Sequence, residues 1–209
     1  MKIFCLGFNK TGSSSLHAFF EANDLRSKHN IRWPHYSHIS AGRFFFHLHD
    51  AYCDGERANF VRLKKWFPKA TFIFNDREEH DWIKSRIHHF LNHQGDQEQN
   101  LKDFFDKQKY GVHVPEMIVC PHESIDYWVA NYRAYKKLVK AYFNNDPRFL
   151  VVRVTEDSDW QSQLIQFLSN SRKKFKKTDP RTRFNSSPKA NTNHPDVEKY
   201  MSYYKEKWC

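Results

Sequence analysis

No stretch of this chain approaches the roughly 18 consecutive apolar residues that a membrane-spanning helix needs. The opening MKIFCLGF is too short in its apolar part for a secretory signal, and polar residues follow at once, so a cytoplasmic setting is expected. The cysteines are few and widely spaced: Cys5, Cys53, Cys120 and Cys209 form no C-x-x-C pair, which excludes a zinc framework of that kind and a disulfide-dense scaffold. His47-x-His49 and His88-His89 lack a third ligand at a suitable spacing, so no metal is expected. There is no internal repeat either, which sets solenoids and propellers aside.

What the chain does have is length, rings and positive charge. Its 209 residues suit one domain with a substantial core, here expected over 1–209. Aromatics make up 17% of the residues and include 19 Phe, a globular composition rather than a disordered one. The formal net charge of +10 implies an anionic partner: nucleic acid, anionic lipid, a polyphosphate cofactor or a charged substrate. No nucleic-acid-binding motif accompanies the charge, which places nucleic acid low among these.

Apolar runs at Lys2–Phe8, Ala70–Asn75 and Phe149–Val154 read as buried strands, with a possible short strand near Phe46–Tyr52. Helical spacing is expected after Ser13 or Ser14 as N-cap, then over Glu56–Trp66, Glu79–Leu91, Ser124–Phe143 and Trp160–Leu168. Residues Asn92–Asn100 read as a loop, and a basic loop at about 169–193 precedes a C-terminal helix at about 195–208. Strands alternating with helices predict an α/β fold with a parallel sheet. Its chemistry is then expected at the carboxyl ends of the strands, in the turns after Phe8 and Asn75.

The first of those turns is Asn9-Lys10-Thr11-Gly12-Ser13-Ser14-Ser15. Gly7 and Gly12 let the backbone curl, the following helix adds the positive end of its dipole, Lys10 brings a full charge, and the hydroxyls are donors. The spacing Gly7 to Gly12 fits a nucleoside-triphosphate loop, but Ser13 stands where such a loop has lysine. Lys10-Thr11-Gly12-Ser13-Ser14-Ser15-Leu16 instead resembles the loop of sulfotransferases that use 3′-phosphoadenosine 5′-phosphosulfate (PAPS). A second segment is similar to the same family: Phe67-Pro68-Lys69-Ala70 leads through a strand to Arg77, and Ser85 follows eight positions later.

The resemblance implies a three-layer P-loop-like fold with a central parallel sheet flanked by helices. It implies PAPS as donor and a small-molecule or carbohydrate acceptor. In it Lys10, Thr11, Gly12, Ser13, Ser14 and Ser15 hold the phosphosulfate end, with Lys10 also catalytic, while Arg77 and Ser85 take the 3′-phosphate. The acceptor's base is expected in the 29–54 region, with Asp54 and His35 as candidates. The closing Gly-x-x-Gly-x-x-Lys of many cytosolic members is missing, and Arg172, Lys173, Lys176, Lys177, Arg181, Arg183 and Lys189 of the basic loop are candidate substitutes. Two other readings stand beside this one. A small-molecule kinase would use Asp76 for magnesium, and a non-catalytic module would bind polyanions through its charge.

Overall fold

The computed structural model describes residues 1–29, 32–92, 120–169, 173–178 and 195–209. The chain divides into two compact units, Met1–Arg77 with Leu138–Ser186, and Glu78–Lys137 with Ser187–Cys209.

The first unit is built on a five-stranded sheet of β1 (Ile3–Cys5), β2 (Ser27–His29), β3 (Ala51–Cys53), β4 (Thr71–Asn75) and β5 (Phe149–Val152), in the order β2-β3-β1-β4-β5. Every pairing is parallel, with Ile3 opposite both Ala51 and Thr71, and Phe72 opposite Phe149. Alternation along each strand then decides the layers. Ile3, Cys5, Ile73 and Val152 point to one face, where Leu16, Phe19 and Phe20 of α1 (Ser13–Ala22) and Leu164 and Leu168 of a later helix, Trp160–Leu168, complete one buried cluster. Phe4 and Phe72 point the other way. Phe4 stacks on Tyr52 at 5.5 Å and on Phe72 at 5.6 Å, with Trp33 and Phe46 closing round it. α2 (Trp33–Tyr36), a 3-10 stretch at Ser40–His47 and α3 (Phe60–Trp66) lie in this part of the chain. The structure is thus an α/β fold with a central parallel sheet and helices, as the strand–helix alternation predicts.

Several boundaries move for identifiable reasons. β1 stops at Cys5, short of Phe8, because the Gly7 N–H is taken by the side chain of Asn75 (3.0 Å) instead of a neighbouring strand. The stretch near Phe46–Tyr52 is a strand only at Ala51–Cys53. Phe46 before it lies in the 3-10 turn, fully buried against Phe4 and Trp33. α3 begins at Phe60 rather than Glu56, because Asn59 accepts from the Arg62 N–H at 3.0 Å and caps it. β2 was hidden in a polar segment, where Ser27-Lys28-His29 offers no apolar run.

The second unit holds α4 (Glu79–Asn92), most of α5 (Pro121–Tyr142) and α7 (Pro195–Trp208); the Trp160–Leu168 helix of the first unit is α6. Trp82 stacks on Tyr132 at 4.1 Å, and Arg86 lies 4.4 Å over the Trp128 ring. Glu79 accepts from both Nε and Nη2 of Arg133 at 2.7 Å and from the Tyr204 hydroxyl at 2.9 Å. Burial acts to raise the Glu79 carboxyl, yet these hydrogen bonds hold it below the ordinary value. The expected loop at Asn92–Asn100 lies outside the described residues from 93 onward.

Candidate active site

The order of the strands marks where chemistry belongs. β1 feeds β2 on one side of the sheet, whereas β4 feeds β5 on the other, so neighbouring connections part at the carboxyl ends of β1 and β4. The two turns that open there are 6–12 and 76–77, which contain the predicted Lys10 and Arg77.

The turn after β1 is braced from within. Asn75, fully buried at the end of β4, accepts from the Gly7 N–H and donates to Thr11 Oγ1 at 2.6 Å. Thr11 Oγ1 in turn donates to Phe8 O at 2.5 Å. Its single hydroxyl hydrogen is therefore committed to the turn itself. Lys10 adopts φ 63° and Gly12 φ 89°, both left-handed, which coils this segment tightly. At Gly12 a Cβ would stand 2.7 Å from Val154, so glycine is demanded there by packing as well as by φ. At Gly7 a Cβ would meet the Asn75 side chain at 2.3 Å.

α1 starts straight from this turn. Gly12, not Ser13 or Ser14, is its N-cap, with no side-chain capping hydrogen bond and no acidic residue in the first turn. The expected serine cap is thus corrected: a left-handed Gly12 leads directly into the helix, and the serine hydroxyls turn elsewhere. Ser13 Oγ and Ser14 Oγ each lie 3.3 Å from Nε2 of His29, at the end of β2. Ser15 is half-buried on the same first turn. A helix start with no acidic residue in its own first turn favours an anion through its dipole.

Arg77 completes the pair of turns. Its Nη1 donates to the backbone oxygen of Lys10 at 2.7 Å, which brings together two residues 67 positions apart in the chain. Asp76 beside it is buried, accepts from Lys140 Nζ at 2.8 Å and also accepts from the Arg77 N–H. The aspartate that a kinase would need for magnesium is thus engaged by a lysine. Ser85 sits half-buried within α4, in the second unit.

The two base candidates part company. Asp54 follows β3 in a left-handed conformation (φ 67°), and its buried carboxylate holds His29 Nε2 at 2.8 Å, so it belongs to the group around Ser13 and Ser14. Its other oxygen, Oδ1, is buried with no hydrogen-bond partner among the described residues. Gly55 N–H fastens this turn to Cys5 O at 2.9 Å. His35 is exposed on α2, where its ring meets Tyr36 edge-on at 6.1 Å. His29 was missed by the sequence reading; its signal, a histidine closing a polar three-residue strand, has no periodicity to reveal it. His17 of α1 stacks on His29 at 5.4 Å, and burial holds it below the ordinary imidazole value against the opposing pull of Glu21.

Of the basic-loop candidates, Lys173 donates to Asp24 O at 3.1 Å, and the Lys176 N–H donates to Asn23 Oδ1 at 2.7 Å. Both contacts are at the carboxyl end of α1, about 15 Å of helix from the Lys10 turn at its start. Lys177 lies in the same short stretch, while Arg172, Arg181, Arg183 and Lys189 lie outside the described residues. Among the described residues, no group of three or more His, Cys, Asp or Glu side chains is arranged to hold a metal ion, and no helix is long and apolar enough to cross a membrane.

A parallel α/β sheet with two turns opening at its switch point defines a broad fold class. Within that class the family is specific: a sulfotransferase domain model matches residues 39–178, more than half of the chain, and the protein belongs to the sulfotransferase domain family. The match takes in Asp54, Arg77 and Ser85, and begins after the Lys10 turn. A search of curated proteins finds no match to the chain.

Proposed function

We propose that this sulfotransferase takes its sulfuryl group from PAPS and passes it to a hydroxyl or amine by in-line displacement. The observation that carries the proposal is the bond from Arg77 to the Lys10 backbone, which brings two strand ends together. The residues present suit an anionic donor: a lysine and an arginine at adjacent turns, and a helix start with three serines and no acidic residue in its own first turn.

PAPS supplies an activated sulfuryl group whose bond to the bridging oxygen breaks as the bond to the acceptor oxygen or nitrogen forms. Lys10 offsets the charge that gathers on the bridging oxygen, and the N–H groups and serine hydroxyls at the start of α1 hold the 5′-phosphate. Arg77 takes the 3′-phosphate. Ser85 is assigned to cofactor binding by the family resemblance alone. The acceptor's proton goes to Asp54, whose place beside the turn favours it over His35; no metal takes part. The acceptor is a small molecule or a carbohydrate.

Thermal unfolding with adenosine 3′,5′-bisphosphate in the presence of a chelator tests this reading. At about 100 times Kd the ligand contributes ~2.7 kcal/mol, a rise in Tm of several degrees for a chain of this size. The rise should disappear in Lys10→Ala and shrink in Arg77→Ala. A wild-type Tm unmoved by the bisphosphate ends the donor assignment, and a shift that needs magnesium and prefers ATP replaces it with the kinase.

A further inference from the structure

We propose that Lys140 is a positioning residue for Arg77: paired with Asp76, it fixes the point where the chain leaves β4 and so aims the Arg77 guanidinium at the donor's 3′-phosphate. The inference rests on the proposed donor, and it adds a residue from a helix outside both turns.

Asp76 lies one residue past β4. Its N–H donates to Val152 O at 2.9 Å, which carries the β4–β5 ladder one step beyond the strand. Its carboxylate, 2% exposed, is engaged at both oxygens. Oδ2 accepts from Lys140 Nζ at 2.8 Å, and Oδ1 accepts from the Arg77 N–H at 3.0 Å. A charge taken out of water needs such partners. Arg77 is thus held at both ends, its N–H by Asp76 and its Nη1 by Lys10 O at 2.7 Å. One series of contacts runs from Lys140 through Asp76 and Arg77 to the Lys10 turn.

Packing delivers Lys140 to this spot. Phe72 and Phe74 share one face of β4, and Asp76 continues that row, because alternate residues of an extended chain point the same way. Phe143, just past the end of α5, lies 4.7 Å from Phe72, and Lys140 Nζ lies 5.9 Å over the Phe74 ring. Going from Phe72 to Phe74 along the strand therefore means going back from Phe143 to Lys140 along the helix, so this end of α5 runs antiparallel to β4. The next residue of the row is Asp76, which the long lysine stem reaches. Phe143 also stacks on Phe149 of β5 at 4.8 Å, so two strands fix the register that places Lys140. Lys140 acts through Asp76 and Arg77 and touches no atom of the nucleotide in this scheme.

Calorimetric titration with adenosine 3′,5′-bisphosphate, and with adenosine 5′-phosphosulfate, which lacks the 3′-phosphate, tests the proposal. Lys140→Met should weaken the bisphosphate about tenfold, the scale of coupling between contacting residues, and leave the phosphosulfate within about twofold. Lys140→Arg, which keeps a cation for Asp76, should recover most of the loss. In an Arg77→Ala chain the same Lys140→Met change should cost no more than about twofold, because the residue it positions is gone. Wild type that fails to bind the bisphosphate ends the donor reading and this proposal together. Wild type that binds while Lys140→Met binds equally well ends this proposal alone, as does an arginine variant no better than methionine. An equal loss for both nucleotides, or a loss that persists in full without Arg77, also overturns it, since Lys140 would then act on the fold or on the ligand directly. Lys140→Met joined to Asp76→Asn strands no buried charge, so the test survives a single variant that does not fold. That pair should show the same selective loss, and wild-type affinity for the bisphosphate in it would overturn the proposal.

Discussion

The Arg77 guanidinium donates through Nη1 to the backbone oxygen of Lys10 at 2.7 Å, so the end of β4 holds the turn that follows β1. Under the proposed function Arg77 has two separable roles, one toward the turn and one toward the donor's 3′-phosphate. Arg77→Ala should weaken adenosine 3′,5′-bisphosphate by about ten- to a hundredfold, in keeping with 1.5–3 kcal/mol for a hydrogen bond to a charged group. Adenosine 5′-phosphosulfate, which lacks the 3′-phosphate, should lose less, because only the slackening of the turn affects it. Calorimetry with the two nucleotides separates the roles, and unchanged affinity for both removes Arg77 from the site.

Asn75 connects the same two strand ends through its side chain, and its replacement tests the brace itself. Asn75→Ala leaves the Gly7 N–H and the Thr11 hydroxyl oxygen without their buried partner. A cost of about 2–4 kcal/mol is expected from these lost bonds. Urea unfolding measures it. A midpoint within error of wild type would mean that the turn keeps its shape without Asn75.

Gly12 is constrained twice, by φ 89° and by Val154. Gly12→Ala should destabilise the chain by about 2–4 kcal/mol, the sum of a left-handed alanine and an overpacked contact. The bisphosphate should also lose its effect on Tm in this variant. Full retention of both stability and ligand response would show that the turn can open without cost.

The contact of Asp54 with His29 and its proposed role as base can be separated by choice of side chain. Asp54→Asn keeps an oxygen that can accept from His29 but cannot take a proton from the acceptor. It should therefore keep bisphosphate binding within a few-fold while sulfuryl transfer from labelled PAPS to an acceptor panel falls by about 10²-fold or more. Asp54→Ala should lose both. Transfer at wild-type rate in the asparagine variant moves the base elsewhere, with His35 next in line.

Two histidines set an acid-side limit on stability. Burial holds both His17 and His49 below the ordinary value of 6.5, so the unfolded chain binds more protons than the folded one as pH falls past that value. Their contribution to stability is complete above about pH 6.5 and declines on acidification. Urea midpoints taken from about pH 7.5 to about pH 5 should fall, and fall less steeply in His17→Asn and in His49→Asn. Parallel curves for all three proteins would remove these groups from the acid response.

Much of this site was readable because its parts are contiguous. Lys10 through Ser15 form one turn between an apolar strand and an apolar-faced helix, and Arg77 ends the clearest strand of the chain. β1, β4 and β5 followed from apolar runs for the same reason, whereas β2 is polar and gave no such run. His29 was not readable, because its partners lie 15, 16 and 25 residues away and only the β2–β3 register brings them to its ring. The serine cap failed on a different point: Gly12 could enter the helix in a left-handed conformation, so α1 had no need of a hydroxyl. Basic residues in a polar loop gave no direction at all. Lys173 and Lys176 could have approached either end of α1, and hydrogen bonds to Asn23 and Asp24 settle them at the far one.

The buried thiols of Cys5 and Cys53 face each other across β1 and β3 with their sulfurs 3.9 Å apart, and burial drives the Cys53 thiol well above its usual value. Exposed Cys209 offers an alkylating reagent an immediate target, whereas these two offer none until the strands separate. The chain therefore contains its own clock: the delay before the inner sulfurs react reports how often the sheet parts just beneath the Lys10 turn.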